Sequence, residues 1–327
     1  MTSYLIDRLS KLQYVNNYFS GIATIFMLHR VSAFEKNKLP PNENMKVSSE
    51  FLEKFITDLK SQGYEFISLD ILHEILQKGK DVEKQIVFTL DDGYLDNYTH
   101  AYPIFKKHNV PFTIYITTSF PEKSAILWWY ILEDLIVENK EILLSNGEKY
   151  SCKTYEDKIK TFMAIREKII TFSQTHFLAQ LNELFLDYKI DWFSKNKELC
   201  LNWEHIIELS KDELCTIAGH TKNHYSLNQL SIDEIKFEII GANRMIEEKI
   251  GTKIEHFAYP FGSKREINRR EFNLVKSLGF KTTTTTRTGN IYFEHKNHLE
   301  CLPRIMLTEN FDIRNIGRIR KTRVVTI

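Results

Sequence analysis

Two adjacent carboxylates, Asp91 and Asp92, close the run Gln85-Ile86-Val87-Phe88-Thr89-Leu90 and are followed by Gly93-Tyr94. An apolar segment that stops at charge and glycine is how a buried strand delivers ionisable groups to the mouth of an α/β barrel or sheet. Two ionised carboxylates side by side repel each other and lose solvation there, so a cation is expected beside them, and a bound metal ion is one candidate. A surface Asp-Asp-Gly turn has the same sequence. A second constellation, His220 and His224, lies within His220-Thr221-Lys222-Asn223-His224, after the segment Thr216 to Gly219. On a helix, or a loop turning into one, that spacing sets both imidazoles on one side, able to share a metal. Alone, such a pair fits a surface or capping role equally well. The two constellations reinforce each other, because parallel strands bring their C-terminal ends to one face. One carboxylate and two imidazoles make three ligands for zinc or a similar ion and leave a position for water; the other carboxylate can act as a base on that water.

The elements that must position these groups follow from hydrophobic spacing. Apolar runs of strand length cover 21–28, 66–69, 85–90, 111–116, 216–219, 254–262, 280–286 and 302–307. Helical patterns cover 4–19, 48–62, 70–78, 95–108, 204–210, 231–249 and 266–277, with Ser48 and Ser231 as polar caps and Gly63, Gly251 and Gly279 as stops. Alternating strand and helix indicates α/β architecture with parallel strands. The rhythm breaks over 121–202, where Ile126–Glu138, Tyr155–Phe172 and Thr175–Phe185 read as helices. This stretch reads as a helical insertion within a single domain spanning 1–327. Core packing is the expected role of Trp128 and Trp129 near its start, ahead of stacking on a sugar.

The totals are those of a globular chain: 327 residues, 43% apolar, 27% charged. A net charge of +1 offers no global field for nucleic acid. Cys152, Cys200, Cys215 and Cys301 show no metal or redox spacing and are expected to be free thiols. Met1 to Tyr18 lacks the features of an export signal, and no apolar stretch is long enough to span a membrane, so a cytoplasmic location is expected. Arg314, Arg318, Arg320, Lys321 and Arg323 form a local basic cluster, either a solvated face or a contact for sugar-linked phosphates or the inner face of the cytoplasmic membrane.

Three motifs, in order, resemble those of the polysaccharide deacetylases, the NodB-homology or carbohydrate esterase 4 family: Thr89-Leu90-Asp91-Asp92-Gly93, His220-Thr221-Lys222-Asn223-His224, and Phe257-Ala258-Tyr259-Pro260-Phe261-Gly262. The resemblance implies a distorted (β/α) barrel of about seven strands. It implies Asp91 as general base, with Asp92, His220 and His224 as ligands of a divalent metal, zinc first and nickel, cobalt, iron or manganese as other fitting ions. It implies hydrolytic N-deacetylation of an amino sugar, free, nucleotide-linked or lipid-linked, in bacterial surface-glycan biosynthesis. Tyr259 and Phe261 match the region that contacts substrate and the developing oxyanion. Two departures stand out. Ala258 occupies a place where the family often has the arginine that orients the base, and Arg304 is the candidate substitute. The last strand lacks the usual histidine acid, and His29, at the end of the first strand, is the candidate substitute. His256 is expected to be structural, and His295 and His298 exposed. Other readings are deformylation of a lipid-linked formamido sugar, a catalytically silent carbohydrate-binding relative, and glycoside hydrolysis, which adjacent carboxylates fit poorly.

Overall fold

The computed structural model describes residues 21–80 and 82–318; the helix expected over 4–19 and the basic residues beyond Arg318 lie outside the described residues. A curled sheet of parallel strands forms the centre. Its strands are β1 (Ala23–Leu28), β2 (Glu65–Phe66), β3 (Gln85–Leu90), β4 (Phe112–Ile116), β5 (Cys215–Gly219), β6 (His256–Ala258), β7 (Thr282–Thr284) and β8 (Ile305–Met306). The order is β7-β6-β5-β4-β3-β1-β8, with β2 pairing the start of β3. The two edges approach through one bridge, Thr284 to Leu302, just before the chain joins β1 at Ile305. Every residue of β1, β3 and β4 is buried, as expected for strands covered on both faces. Phe26, Phe88, Phe112 and Ile114 pack outward against helices, whereas Ile25, Val87, Tyr115 and Ala218 line the interior.

The helices that cover the barrel are α1 (Ser49–Ser61), α2 (Leu69–Lys78), α3 (Tyr102–Lys107), α7 (Trp203–Leu209), α8 (Ile232–Ile250) and α9 (Arg269–Ser277); the inserted segment supplies α4 (Trp128–Glu138), α5 (Tyr155–Ile169) and α6 (Phe177–Leu184). Ser48 caps α1 and Ser231 caps α8 through a reciprocal box with Glu234, as their sequences predict. The single helix expected over 95–108 instead opens with a wide π-type turn, Asn97–Ala101, ahead of Pro103. Register places the site. Leu28 pairs Leu90, so His29 and Asp91 leave the sheet at the same height. Ile116 pairs Gly219, which brings His220 beside Asp92.

The inserted segment contains α4 (Trp128–Glu138), a hairpin of Glu141–Leu143 with Lys149–Ser151, α5 (Tyr155–Ile169) and α6 (Phe177–Leu184). It is therefore not purely helical, and Asn146-Gly147 at the hairpin turn is the sequence signal that marks it. Its own apolar core includes Leu132, Phe162, Ile165, Leu181 and Trp192. Tyr94, Phe120 and Tyr130 join it to the barrel, and the Arg30 guanidinium sits 5.3 and 5.4 Å from the rings of Tyr94 and Tyr130 while its Nε donates to Asp96. The four cysteines are buried and free.

Candidate active site

The alternation of β3 explains one half of the site. Val87, Thr89 and Asp91 point into the barrel, and a fully buried Arg304 meets them there. Its Nη1 and Nη2 donate to Asp91 Oδ1 and Oδ2 at 2.6 and 2.7 Å, Nη1 also reaches Thr89 Oγ1 at 3.1 Å, and Nε donates to Thr285 O at 2.9 Å. Burial by itself would raise the Asp91 carboxyl; the Arg304 charge, then His220 and the Arg304 hydrogen bonds, outweigh it and hold the pKa below the ordinary carboxylate value. This bidentate pair is charge-assisted and fixes the carboxylate's plane as well as its charge.

Simple alternation would turn Asp92 away from the interior. It does not, because Asp92 takes a left-handed backbone, φ 76°. Thr221, His224 and Phe261 are also left-handed, at φ 66°, 58° and 60°, so four of the seven non-glycine residues with positive φ among those described gather at this mouth. Each costs roughly 1 kcal/mol or more and persists because the surroundings enforce it. His220 and His224 therefore converge through a strained loop, not along a helix face as their spacing suggests. His220 Nδ1 donates to Ala258 O at 2.8 Å, which leaves Nε2 with the lone pair in the neutral ring. Lys222 N and Asn223 N donate to Glu238 Oε2 at 3.1 and 2.8 Å, and His224 N donates to Thr221 Oγ1. A Cβ at Gly219 would stand 2.3 Å from Asn243 Oδ1 on α8, so a larger residue would have to displace that side chain.

His220 Nε2 and His224 Nε2 each lie 3.3 Å from Asp92 Oδ1, and the three ligand atoms fall within 4.8 Å of one another. Atoms bound tetrahedrally at about 2.0–2.1 Å from zinc stand about 3.4 Å apart. Asp92 Oδ1 is buried and has no hydrogen-bond partner among the described residues. A buried carboxylate oxygen left unbonded beside the Nε2 atoms of two imidazoles is what a cation would satisfy, so the residues fit a divalent metal. Burial raises the Asp92 carboxyl, but positive charge and N–H donation from His224 and His220, when those rings are protonated, hold it well below the usual range.

Met27, His29, Asp91, Asp92, His220 and His224 line a cavity of about 450 Å³. Desolvation dominates at His29 and lowers its pKa despite the nearby Asp92 and Asp91, so the ring is neutral near pH 7; its Nδ1 is buried without a partner. Phe261 lines the same cavity, its ring 4.8 Å from that of His224. Its main-chain N–H has no partner among the described residues. Tyr259 does not fit the substrate contact expected of it. Its side chain is fully buried and donates to Glu300 O at 2.8 Å, and its own N–H is taken by Thr284 O. The chain reverses the expected outward face two residues before Phe261. Trp128 joins the insertion's core as expected and Trp129 packs against it; both also line the cavity, and the half-buried Trp129 stands 6.3 Å from the His224 ring. His256 is structural, buried between Thr282 Oγ1 and Asp70. His295 is buried, not exposed, and takes up the Tyr292 N–H.

The sequence reading missed Glu238, the Ala258 carbonyl and Trp129 as parts of this site. Only Trp129 carried a signal, as a tryptophan opening the insertion. Glu238 lies on a helix whose pattern is that of any amphipathic surface helix.

The family model for polysaccharide deacetylases matches residues 78–283. The poly-beta-1,6-N-acetyl-D-glucosamine N-deacetylase of Escherichia coli strain K12 is 20% identical over 302 residues, covering 84% of this chain and 35% of that protein. The chain spans only 30% and 35% of the length of the first curated relatives it matches. Among solved structures, the Streptococcus pyogenes deacetylase PplD, in complex with acetate, superposes with a TM-score of 0.62 at 18% identity, covering 92% of this chain and 98% of that one. IcaB from Ammonifex degensii gives 0.57 at 16%, covering 92% and 96%. The curled parallel sheet is thus the (β/α) barrel of these deacetylases.

Proposed function

The chain belongs to the polysaccharide deacetylase family, hydrolases of carbohydrate amide bonds, and we propose that it is a divalent-metal-dependent N-deacetylase of an N-acetylated amino sugar. One observation carries this reading: Asp92, His220 and His224 converge on one point while Asp91, clamped by Arg304, stands beside them. Asp92, His220 and His224 would hold a divalent ion, which would supply Lewis acidity toward a water and the acyl carbonyl, and zinc suits two imidazoles and a carboxylate. Asp91 accepts the proton of the attacking water, and Arg304 keeps it ionised and aimed. The free Phe261 N–H donates to the acyl oxygen as charge develops there. Breaking the C–N bond requires a proton on the departing amine, and His29, whose charged form is disfavoured by burial, is the donor proposed once it has taken up a proton.

The relative from Escherichia coli carries N-acetylglucosamine polymer in its name, which supports an N-acetylated hexosamine of bacterial surface glycan as the substrate here. A cytoplasmic site of action, or one at the inner face of the cytoplasmic membrane, belongs to the same proposal, and fractionation of the native protein tests it. The deciding experiment is metal analysis of the purified protein joined to an acetate and formate assay over free, nucleotide-linked and lipid-linked N-acyl sugars. Metal-dependent acetate release that disappears in His220→Ala supports the proposal; formate release assigns the acyl group differently. No acyl release from any substrate at full metal occupancy overturns it.

A further inference from the structure

The buried face of α8 carries Ile235, Glu238, Ile239, Ala242, Asn243 and Ile246. A helix stripe that packs on a barrel is ordinarily apolar, and a carboxylate within it costs desolvation unless its oxygens find donors. Glu238 is 3% exposed. Its described hydrogen bonds all go to the loop that carries His220 and His224. Oε2 accepts from Lys222 N at 3.1 Å and Asn223 N at 2.8 Å, and Oε1 accepts from Asn223 Nδ2 at 2.6 Å. Two successive main-chain N–H groups turned toward one oxygen form a nest for an anion. The carbonyls of the same loop are fastened from the opposite side, by the residues after β4. Thr117 Oγ1 donates to His220 O at 2.9 Å, Thr118 N to Thr221 O at 3.2 Å, and Ser119 N to Lys222 O at 2.8 Å. The two peptide units from Thr221 to Asn223 are thus each held at both ends, the carbonyl by the barrel and the N–H by Glu238.

The two histidines depend on this loop unequally. His220 directly follows β5, and its ring is held by Ala258 O. His224 lies beyond the left-handed Thr221 and is itself left-handed. The place of its ring therefore follows from how firmly the intervening peptide units are held, because a strained backbone persists only where its surroundings enforce it. We infer that Glu238 is a positioning residue for the metal site: by holding these two peptide units it presets His224 Nε2 against Asp92 and so raises the affinity of the site for a divalent ion. It acts through reach and acceptor capacity, not through charge. This inference rests on the metal-dependent reading, and its test separates the two.

Zinc dissociation constants are measured on the full chain by competition with a chromophoric chelator. Absorption of the cobalt(II)-loaded protein reports ligand geometry, and melting of the metal-free protein is the control. Glu238→Gln keeps the length of the side chain and, with the Asn223 amide turned over, all three hydrogen bonds, so zinc affinity should stay within about threefold of the wild type. Glu238→Asp keeps the charge but falls one methylene short. Its zinc dissociation constant should rise about ten- to a hundredfold, with altered cobalt bands and nearly unchanged melting of the metal-free protein. Should the aspartate variant not fold, Asn223→Ala, which removes one of the three bonds, decides the point: a several-fold weaker site upholds the inference and an unchanged one overturns it. Wild-type affinity in Glu238→Asp overturns it, as does equal weakening in Glu238→Gln and Glu238→Asp, which would assign the effect to charge. A loss of affinity matched by a loss of metal-free stability also overturns it, by making Glu238 a general support of the fold. If the wild-type protein takes up neither zinc nor cobalt, the metal-dependent reading fails and the inference with it; normal uptake with unaffected variants sinks the inference alone.

Discussion

At the barrel mouth, buried polar atoms such as Asp92 Oδ1 and His29 Nδ1 stand without hydrogen-bond partners, and left-handed backbones carry full side chains. In the inserted segment, no described residue leaves a buried side-chain polar atom unpaired, Lys123 is the sole non-glycine residue with positive φ among those described, and α5 begins with a complete capping box at Thr154. The first region holds strain and unmet electrostatic demand; the second is locally satisfied and packs a core of its own. Such a difference separates groups arranged for reaction from groups arranged for stability and shape.

Substitutions in the two regions should therefore part activity from stability. The largest effect is expected for His220→Ala, which removes a proposed ligand: acetate release should fall by about a thousandfold or more, with loss of bound metal and little change in the melting of the metal-free protein. Retained metal stoichiometry would mean that the strained loop serves something else. Next comes Arg304→Met. It leaves the Asp91 charge buried and alone, so unfolding free energy should drop by about 3–5 kcal/mol and kcat by about a hundredfold. The pH sign follows from the depressed Asp91 pKa. In the native enzyme the carboxylate stays ionised down through its ordinary value near 3.9, and the stability it contributes is present above that value and lost as pH falls below it. Without Arg304 the largest counterweight to desolvation is gone, so the acid limb of kcat/KM should move to higher pH. An unmoved limb would break the link between Arg304 and the base.

His29→Gln should lower kcat by about ten- to a hundredfold with KM nearly constant, since it keeps the shape and removes the titratable ring. A change in KM alone would make His29 a binding group. The smallest effect on activity belongs to the insertion core. Ile165→Ala should cost about 2–5 kcal/mol in chemical denaturation, yet leave kcat per folded molecule within about twofold. A loss of kcat comparable to that of His29→Gln would erase the contrast between the regions.

Much of this arrangement is legible in the residues. Asp91, Asp92, His220 and His224 stand at the ends of apolar segments, and residue type with position at a strand end suffices to nominate them. Arg304 is also nominated, but its partner lies 213 residues away and no local pattern shows that the two meet. Tyr259 and Phe261 read alike in sequence as aromatic residues after a strand, yet one is core and the other lines the cavity, because the backbone reverses at Phe261. His295 reads as a loop residue, and only the packing of the short turn around Tyr292 buries it.

What the sequence by itself determined is the inventory: alternating parallel strands and helices, an interruption over 121–202, and a carboxylate pair and histidine pair delivered to one end of the barrel. Those features depend on hydrophobic period and chain order, which are local and survive without neighbours. Tertiary structure decided the roles. It set Asp91 against Arg304, turned Asp92 inward against alternation, chose the His220 tautomer through Ala258 O, and placed Trp129 at the cavity. The reason is that charge, tautomer and orientation are fixed by desolvation and by partners distant along the chain, and those exist only once the sheet has curled.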